Sequence, residues 1–258
     1  MTKIIPMATT NPSTAAPSLE SAQVRAQLQL REMILAGELP GGARIAELSI
    51  VEKLGVSRTP IRAALMRLEQ EGLLESLPNG GFAVRTFSER DVSEAIELRG
   101  TIEGLSARLA AERGAPSVVL SEARECLNNI DAVLSQPALN DEAFSSYVTL
   151  NARFHALLSE MAGSEVIAKE LDRVSSLPFA SASGFVVVQA NSPGARDMLI
   201  VAQDQHRQVL DAIEQREGSR AEAIMREHSR LAQRNLRAAV ASHNLDQMPG
   251  VRLIRKRS

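Results

Sequence analysis

The sequence predicts a mainly α-helical chain in two units: a small helical head that carries a β-hairpin, and a larger all-helical domain behind it. Three observations predict it. Ala, Leu, Arg and Glu are abundant in the 258 residues and all form helices well, while aromatic residues make up only 3%. Apolar residues recur at helical spacing along most of the chain, with Gly and Pro between the periodic segments. One stretch departs from this pattern: two short apolar runs flank Pro78-Asn79-Gly80-Gly81, the composition of a hairpin turn.

The bulk numbers narrow the function classes. A chain of 258 residues suits two domains rather than one. Hydrophobic residues at 44% and charged residues at 23% are ordinary for a soluble protein. No apolar run is long enough to span a bilayer, and the N-terminus has no secretory pattern, so no membrane role and a cytoplasmic location are expected. The lone Cys126 has no disulfide partner, suits a reducing compartment, and is expected as a small buried side chain. Net charge is −2, so a nucleic-acid site has to be a local basic patch.

Residues 1–18, rich in Thr, Pro, Ala and Ser, read as a disordered leader. A first helix follows from Leu19 to Ala36, with Val24, Leu28, Met33 and Leu35 as its apolar positions, and Gly37 and the run at 39–42 end it. Ala46 to Lys53 is a short second helix with Leu48 and Val51 inward. Leu54-Gly55-Val56 is a tight connection to a third helix, capped by Ser57, with Pro60 in its first turn and Gly72 past its end. Residues 73–77 and 82–85 are the strands of the hairpin. Two helices, a tight turn, a third helix and a hairpin make a winged helix-turn-helix over 19–86. Ser88 then caps a new helix, and further helices are expected at 89–113, 117–135, 141–161, 164–177, 195–217 and 219–243, forming one domain over 87–243. Pro178 to Pro193 is the least helical stretch and reads as a loop or lid; 244–258 reads as a frayed basic tail.

The third helix carries the chemistry that DNA requires. Ile61, Leu65 and Leu68 recur at i, i+4 and i+7 and face the core, while Arg58 and Arg62 share another face in the first turns. Arginine pairs bidentately with guanine or holds phosphate, and the helix N-terminus favours phosphate. Ser57 and Thr59 add hydroxyls, Arg44 and Arg67 extend the basic surface, and Gly80 and Gly81 let the wing backbone approach the minor groove. Two arginines on a helix are ordinarily a solvated face. Their coincidence with the helix-turn-helix spacing and the glycine wing points instead to DNA.

The run LREMILAGELPGGARIAELSIVEKLGVSRTPIRAALMRLEQEGLLESLPNGGFAV resembles the DNA-binding domain of GntR-type bacterial transcription regulators. That resemblance implies DNA contact by Ser57, Arg58, Thr59 and Arg62. Some members carry an arginine where this chain has Leu48, so one contact is expected to be missing.

Three of the four histidines lie on separate expected helices: His155, with Asn151 one turn before it, then His206 and His228. Spacing alone leaves open whether they converge. The segments ELRGTIEGLSARLAAERG, NARFHALL and QHRQVLDAIEQREGSRAEAIMREH resemble the all-helical FCD effector domain of the FadR subfamily. The resemblance implies a divalent metal, zinc or nickel, on Asn151, His155, His206 and His228. It further implies that the metal helps hold the carboxylate of a small effector. Asn in place of Asp removes one negative charge and predicts weaker binding. Arg99 is a candidate second anion group, with an i, i+4 salt bridge to Glu103 as the alternative. His243 matches nothing and is expected on the surface. The segment LPFASASGF resembles vanillate-type repressors of the subfamily, which implies an aromatic acid.

The reading that follows is a homodimeric, ligand-responsive repressor. It binds a near-palindromic double-stranded operator and is released by a small carboxylate. Two alternatives stand beside it: a regulator whose effector is the metal itself, and a metalloenzyme with a DNA-binding head. The second lacks a general base and any HExxH, GxSxG or Walker A motif, so no enzymatic activity is expected.

Overall fold

A computed structural model describes residues 19–177, 180–181, 194–241 and 253–255. The head holds α1 (Leu19–Leu35), α2 (Glu47–Leu54) and α3 (Arg58–Gln70). Ser57, in extended conformation, precedes α3, and Pro60 sits in the first turn, where no helical acceptor awaits its missing N–H. Ile61, Ala64, Leu65 and Leu68 bury one face of α3 in a core shared with Ala26, Leu30 and Ile34 of α1. β1 (Leu74–Ser76) and β2 (Phe82–Val84) pair antiparallel, with Leu74 opposite Val84 and Ser76 opposite Phe82. The segment before α2 joins them: Ile45 N–H donates to the Phe82 carbonyl, Val84 N–H donates to the Ala43 carbonyl, and Arg44 bridges Ala83.

Two expectations about facing residues need correction. Leu48 points outward and is 57% exposed, while Ile50 takes the inward position of α2. Two residues lie about 200° apart around a helix, so burying Ile50 turns Leu48 to solvent. Val24 and Leu28 likewise lie on the outer face of α1, and Ala26, Leu30, Met33 and Ile34 are buried.

Behind the head run α4 (Glu89–Arg113), α5 (Ser117–Leu134), α6 (Asp141–Ala162), α7 (Glu165–Ser175), α8 (Ala195–Glu214) and α9 (Gly218–Ala241). α4 begins with a capping box: Asp91 N–H donates to Ser88 Oγ, and Ser88 N–H donates to the Asp91 carboxylate at 2.7 Å. Asn140 caps α6 through Ala143 N–H. A second core, including Leu127, Ile130, Phe154, Leu158, Val209 and Ile213, fills the bundle. α4 and α9 approach closely where Gly100 faces Ser229 and Gly104 faces Arg226. No described helix is long and apolar enough to cross a membrane.

The two units share apolar packing. The head's core continues past Thr86 into Val92 and Ile96 of α4 and Leu236 of α9. The expectation of a frayed tail also needs correction. β4 (Ile254–Arg255) pairs in parallel with β3 (Phe87–Ser88), and Leu253 and Ile254 are buried in the head's core. The apolar pair sits among basic residues, which hid it from a charge-based reading. The leader 1–18, His243, and the expected loop or lid at 178–193, apart from Ala180 and Ser181, lie outside the described residues.

Candidate metal centre and DNA-contact surface

Ser57, Arg58, Thr59 and Arg62 are all exposed at the start of α3, opposite its buried stripe. Among the described residues, neither Arg58 nor Arg62 is drawn into an ion pair, so both cations are available at the surface. Arg44 Nη2 donates to the Gly80 carbonyl at 3.1 Å and so holds the wing tip, a shaping contact that its sequence position did not reveal. Gly80 and Gly81 have φ of 80° and 86°, the left-handed conformation that this tip needs. Arg67 lies further along α3, 3.6 Å from Glu71, whose carboxylate also accepts from Gln27 and Arg31 of α1.

The three helices α6, α8 and α9 bring His155, His206 and His228 together. All three are buried, and one ring nitrogen from each lies within 4.8 Å of the others. Their outer nitrogens are already engaged. His155 Nδ1 meets Glu103 Oε1 at 2.7 Å, His206 Nδ1 meets Gln203 Oε1 at 3.3 Å, and His228 Nδ1 meets Gln205 Oε1 at 3.2 Å. Each oxygen accepts, so each Nδ1 carries a proton and each Nε2 is left for the interior of the cluster. His206 Nε2 and His228 Nε2 then face each other at 3.1 Å, and His155 Nε2 is buried with no hydrogen-bond partner.

The His206 and His228 Nε2 atoms, facing each other at 3.1 Å on two neutral rings, need a proton or a cation between them. Nitrogens bound at 2.0–2.1 Å to one ion, at right-angled to tetrahedral angles, are about 2.8–3.4 Å apart. The 3.1 Å separation suits that arrangement, and the residues fit a divalent metal. Burial, with the neighbouring His155 adding to it, pushes the His206 imidazolium well below its ordinary range. Burial and the His206 and His155 rings do the same to His228. Both rings are therefore neutral, the state in which imidazole ligates metal. Asn151 is buried one turn before His155 on the same helix.

Glu103 belongs to the site although its position in the sequence suggests only a salt-bridge partner for Arg99. It is 2% exposed, orients His155, and lies with Oε2 3.4 Å from Arg99 Nε. Burial alone drives its carboxyl up; His155 and the Arg99 guanidinium outweigh burial and hold it down at about 2. Carboxylate, histidine and metal position thus form a line in which the carboxylate fixes the ring. Arg99, also 2% exposed, makes the i, i+4 pair with Glu103 that stood as the alternative to anion binding, yet its Nε has no hydrogen-bond partner. Gln203 and Gln205 were the other missed residues. Gln203 meets His206 one turn away on the same helix, a spacing present in the sequence, whereas Gln205 meets His228 across two helices and depends on their relative rotation.

Comparison with known proteins follows this division. Residues 22–84 match the family described as bacterial regulatory proteins, gntR family, and residues 94–231 match the FCD domain. The chain belongs to the GntR family of bacterial transcription regulators with an FCD effector domain; it is a DNA-binding regulator and not an enzyme. An uncharacterized HTH-type transcriptional regulator of Streptomyces ambofaciens is 31% identical over 206 residues, covering 79% of this chain and 80% of that one. A probable D-xylose utilization operon transcriptional repressor of Paenarthrobacter nicotinovorans is 29% identical over 205 residues, 78% of this chain and 84% of its own. Among solved structures, E. coli McbR/YncC shares the fold with a TM-score of 0.59 at 18% identity, covering 86% of this chain and 99% of that one.

Proposed function

We propose that the chain is a ligand-responsive repressor whose DNA affinity is lowered by a small organic acid bound beside a metal held by the three histidines. The observation that carries this reading is the convergence of three buried imidazoles, each with Nδ1 occupied and Nε2 turned inward, in the domain behind a DNA-binding head. The protein acts in the cytoplasm as a homodimer. Each head places α3 in one half-site of a near-palindromic operator. Arg58 and Arg62 read base edges or hold phosphates, Ser57 and Thr59 hold phosphates, and the wing at Gly80 and Gly81, set by Arg44, follows the minor groove.

Zinc or nickel is held by His155, His206 and His228, with the Asn151 amide oxygen as a fourth donor. Such an ion supplies a Lewis-acidic position for a carboxylate oxygen. Arg99 takes the other oxygen through its unengaged Nε, and Glu103 keeps His155 aimed. The relative from Paenarthrobacter is named a repressor, which supports the same sign of regulation here. Burial of the triad favours a resident ion over a sensed one.

The test is operator affinity. A duplex selected from a random library on the metal-loaded protein is titrated with aliphatic and aromatic carboxylic acids. A saturating acid weakens binding about 5- to 150-fold, the range of a 1–3 kcal/mol coupling. If every acid leaves affinity unchanged while metal alone alters it, the metal is the effector. If neither alters it, the regulatory reading fails.

A further inference from the structure

A continuous set of contacts joins Arg99 to the end of α3. Arg99 Nη1 donates to the Ala180 carbonyl at 3.0 Å, and both residues are buried. Ala180 N–H donates in turn to the Leu177 carbonyl at 3.1 Å. Leu177 lies just past α7, yet its side chain packs into the core of the head. There it sits on Gly72, where an added Cβ would come within 2.7 Å of Leu177 Cδ2. Gly72 ends α3 with a φ of 78°, its N–H donating to the Glu69 carbonyl and Leu73 N–H to the Leu68 carbonyl. This is the helix that carries Arg58 and Arg62.

Arg99 thus stands at a branch. One guanidinium nitrogen holds Ala180, while Nε lies 3.4 Å from Glu103 Oε2 without a hydrogen bond to it. Glu103 leads on to His155 and the triad. A carboxylate oxygen drawn to Nε moves the planar guanidinium as one unit and so competes with the single backbone carbonyl, and the charged pair is the stronger contact.

We infer that Arg99 is the positioning residue through which the effector site sets the seat of the DNA head, by way of Ala180, Leu177 and Gly72. An anion drawing Arg99 away releases Ala180. Leu177 then loosens from Gly72, and the C-terminal end of α3 loses its support. The inference rests on the anion-binding role of Arg99 proposed above, and it adds the residues that carry the signal. Two discrete arrangements biased from both ends are what such coupling requires.

Amide hydrogen exchange on the full-length protein, with no ligand added, tests it. Leu177→Ala and Arg99→Met are compared with wild type at Gly72 and Leu73, with Leu127 and Ile130 in the separate bundle core as reference. Both variants should raise exchange at Gly72 and Leu73 about tenfold or more while the reference amides stay within about twofold. Arg99→Lys is the second variant: it keeps the buried charge beside Glu103 but lacks the reach and planar fork, and should act in the same direction. Unchanged exchange at Gly72 and Leu73 in a folded Arg99 variant overturns the inference. So does an unchanged value in Leu177→Ala, or a rise shared equally by Leu127 and Ile130. Because no ligand enters the experiment, this failure is distinct from that of the effector reading, which shows as an operator indifferent to acids.

Discussion

His155, His206 and His228 each give one ring nitrogen to an oxygen and present the other to a shared point. The outer oxygens therefore matter nearly as much as the rings. Glu103→Gln keeps an acceptor but removes the charge, and should weaken zinc binding about 10- to 100-fold, measured by competition with a chelator. Acid should destabilise the metal-free protein. The folded pKa values of His206 and His228 are depressed below the ordinary 6.5, so the unfolded chain binds protons first as pH falls. Their contribution is present above 6.5 and is lost below it, with Glu103 adding a further loss between 4.5 and about 2. Melting temperature measured from pH 8 to 5 without metal should fall on the acid side of about 6.5; a flat profile contradicts the neutral buried rings. The histidines were legible as residue types on three helices. Their convergence and Glu103's place beside them were not, because each depends on how helices far apart in sequence rotate against one another.

The helices themselves were legible because their ends are chemical. Ser88 with Asp91, Gly114-Ala115-Pro116 and Gly163 bound α4 and α6 close to where their breakers stand in the sequence. What failed was the choice of face on short or sparsely apolar helices: Leu48, Val24 and Leu28 are apolar yet outward. On α4 the close approach to α9 gives a sharp test. A Cβ at Gly100 would lie 2.0 Å from Ser229 Oγ, so Gly100→Ala should destabilise by about 1–3 kcal/mol in chemical denaturation. On α3, Arg58→Ala and Arg62→Ala should each weaken operator binding by about 1–3 kcal/mol without lowering the melting temperature. The salt slope separates their roles, since a phosphate contact lowers it and a base contact changes sequence preference instead.

At the scale of the molecule, head and effector domain are packed rather than merely strung together. Val92, Ile96, Leu236, Leu253 and Ile254 all enter the head's core, the last two from the C-terminal end of the chain. Leu253→Ala should therefore destabilise by about 2–5 kcal/mol although it is five residues from the last residue of the 258-residue sequence. The charges around that pair mask its burial in the sequence, because parallel pairing with β3 is a contact over more than 160 residues of chain. Everything proposed about regulation turns on whether the triad holds an ion. The most direct measurement is elemental analysis with native mass spectrometry of the purified chain, beside His206→Ala. The account predicts one zinc or nickel per chain in the wild type and none in the variant. A wild type that stays metal-free under loading, or an undiminished metal content in His206→Ala, would contradict it.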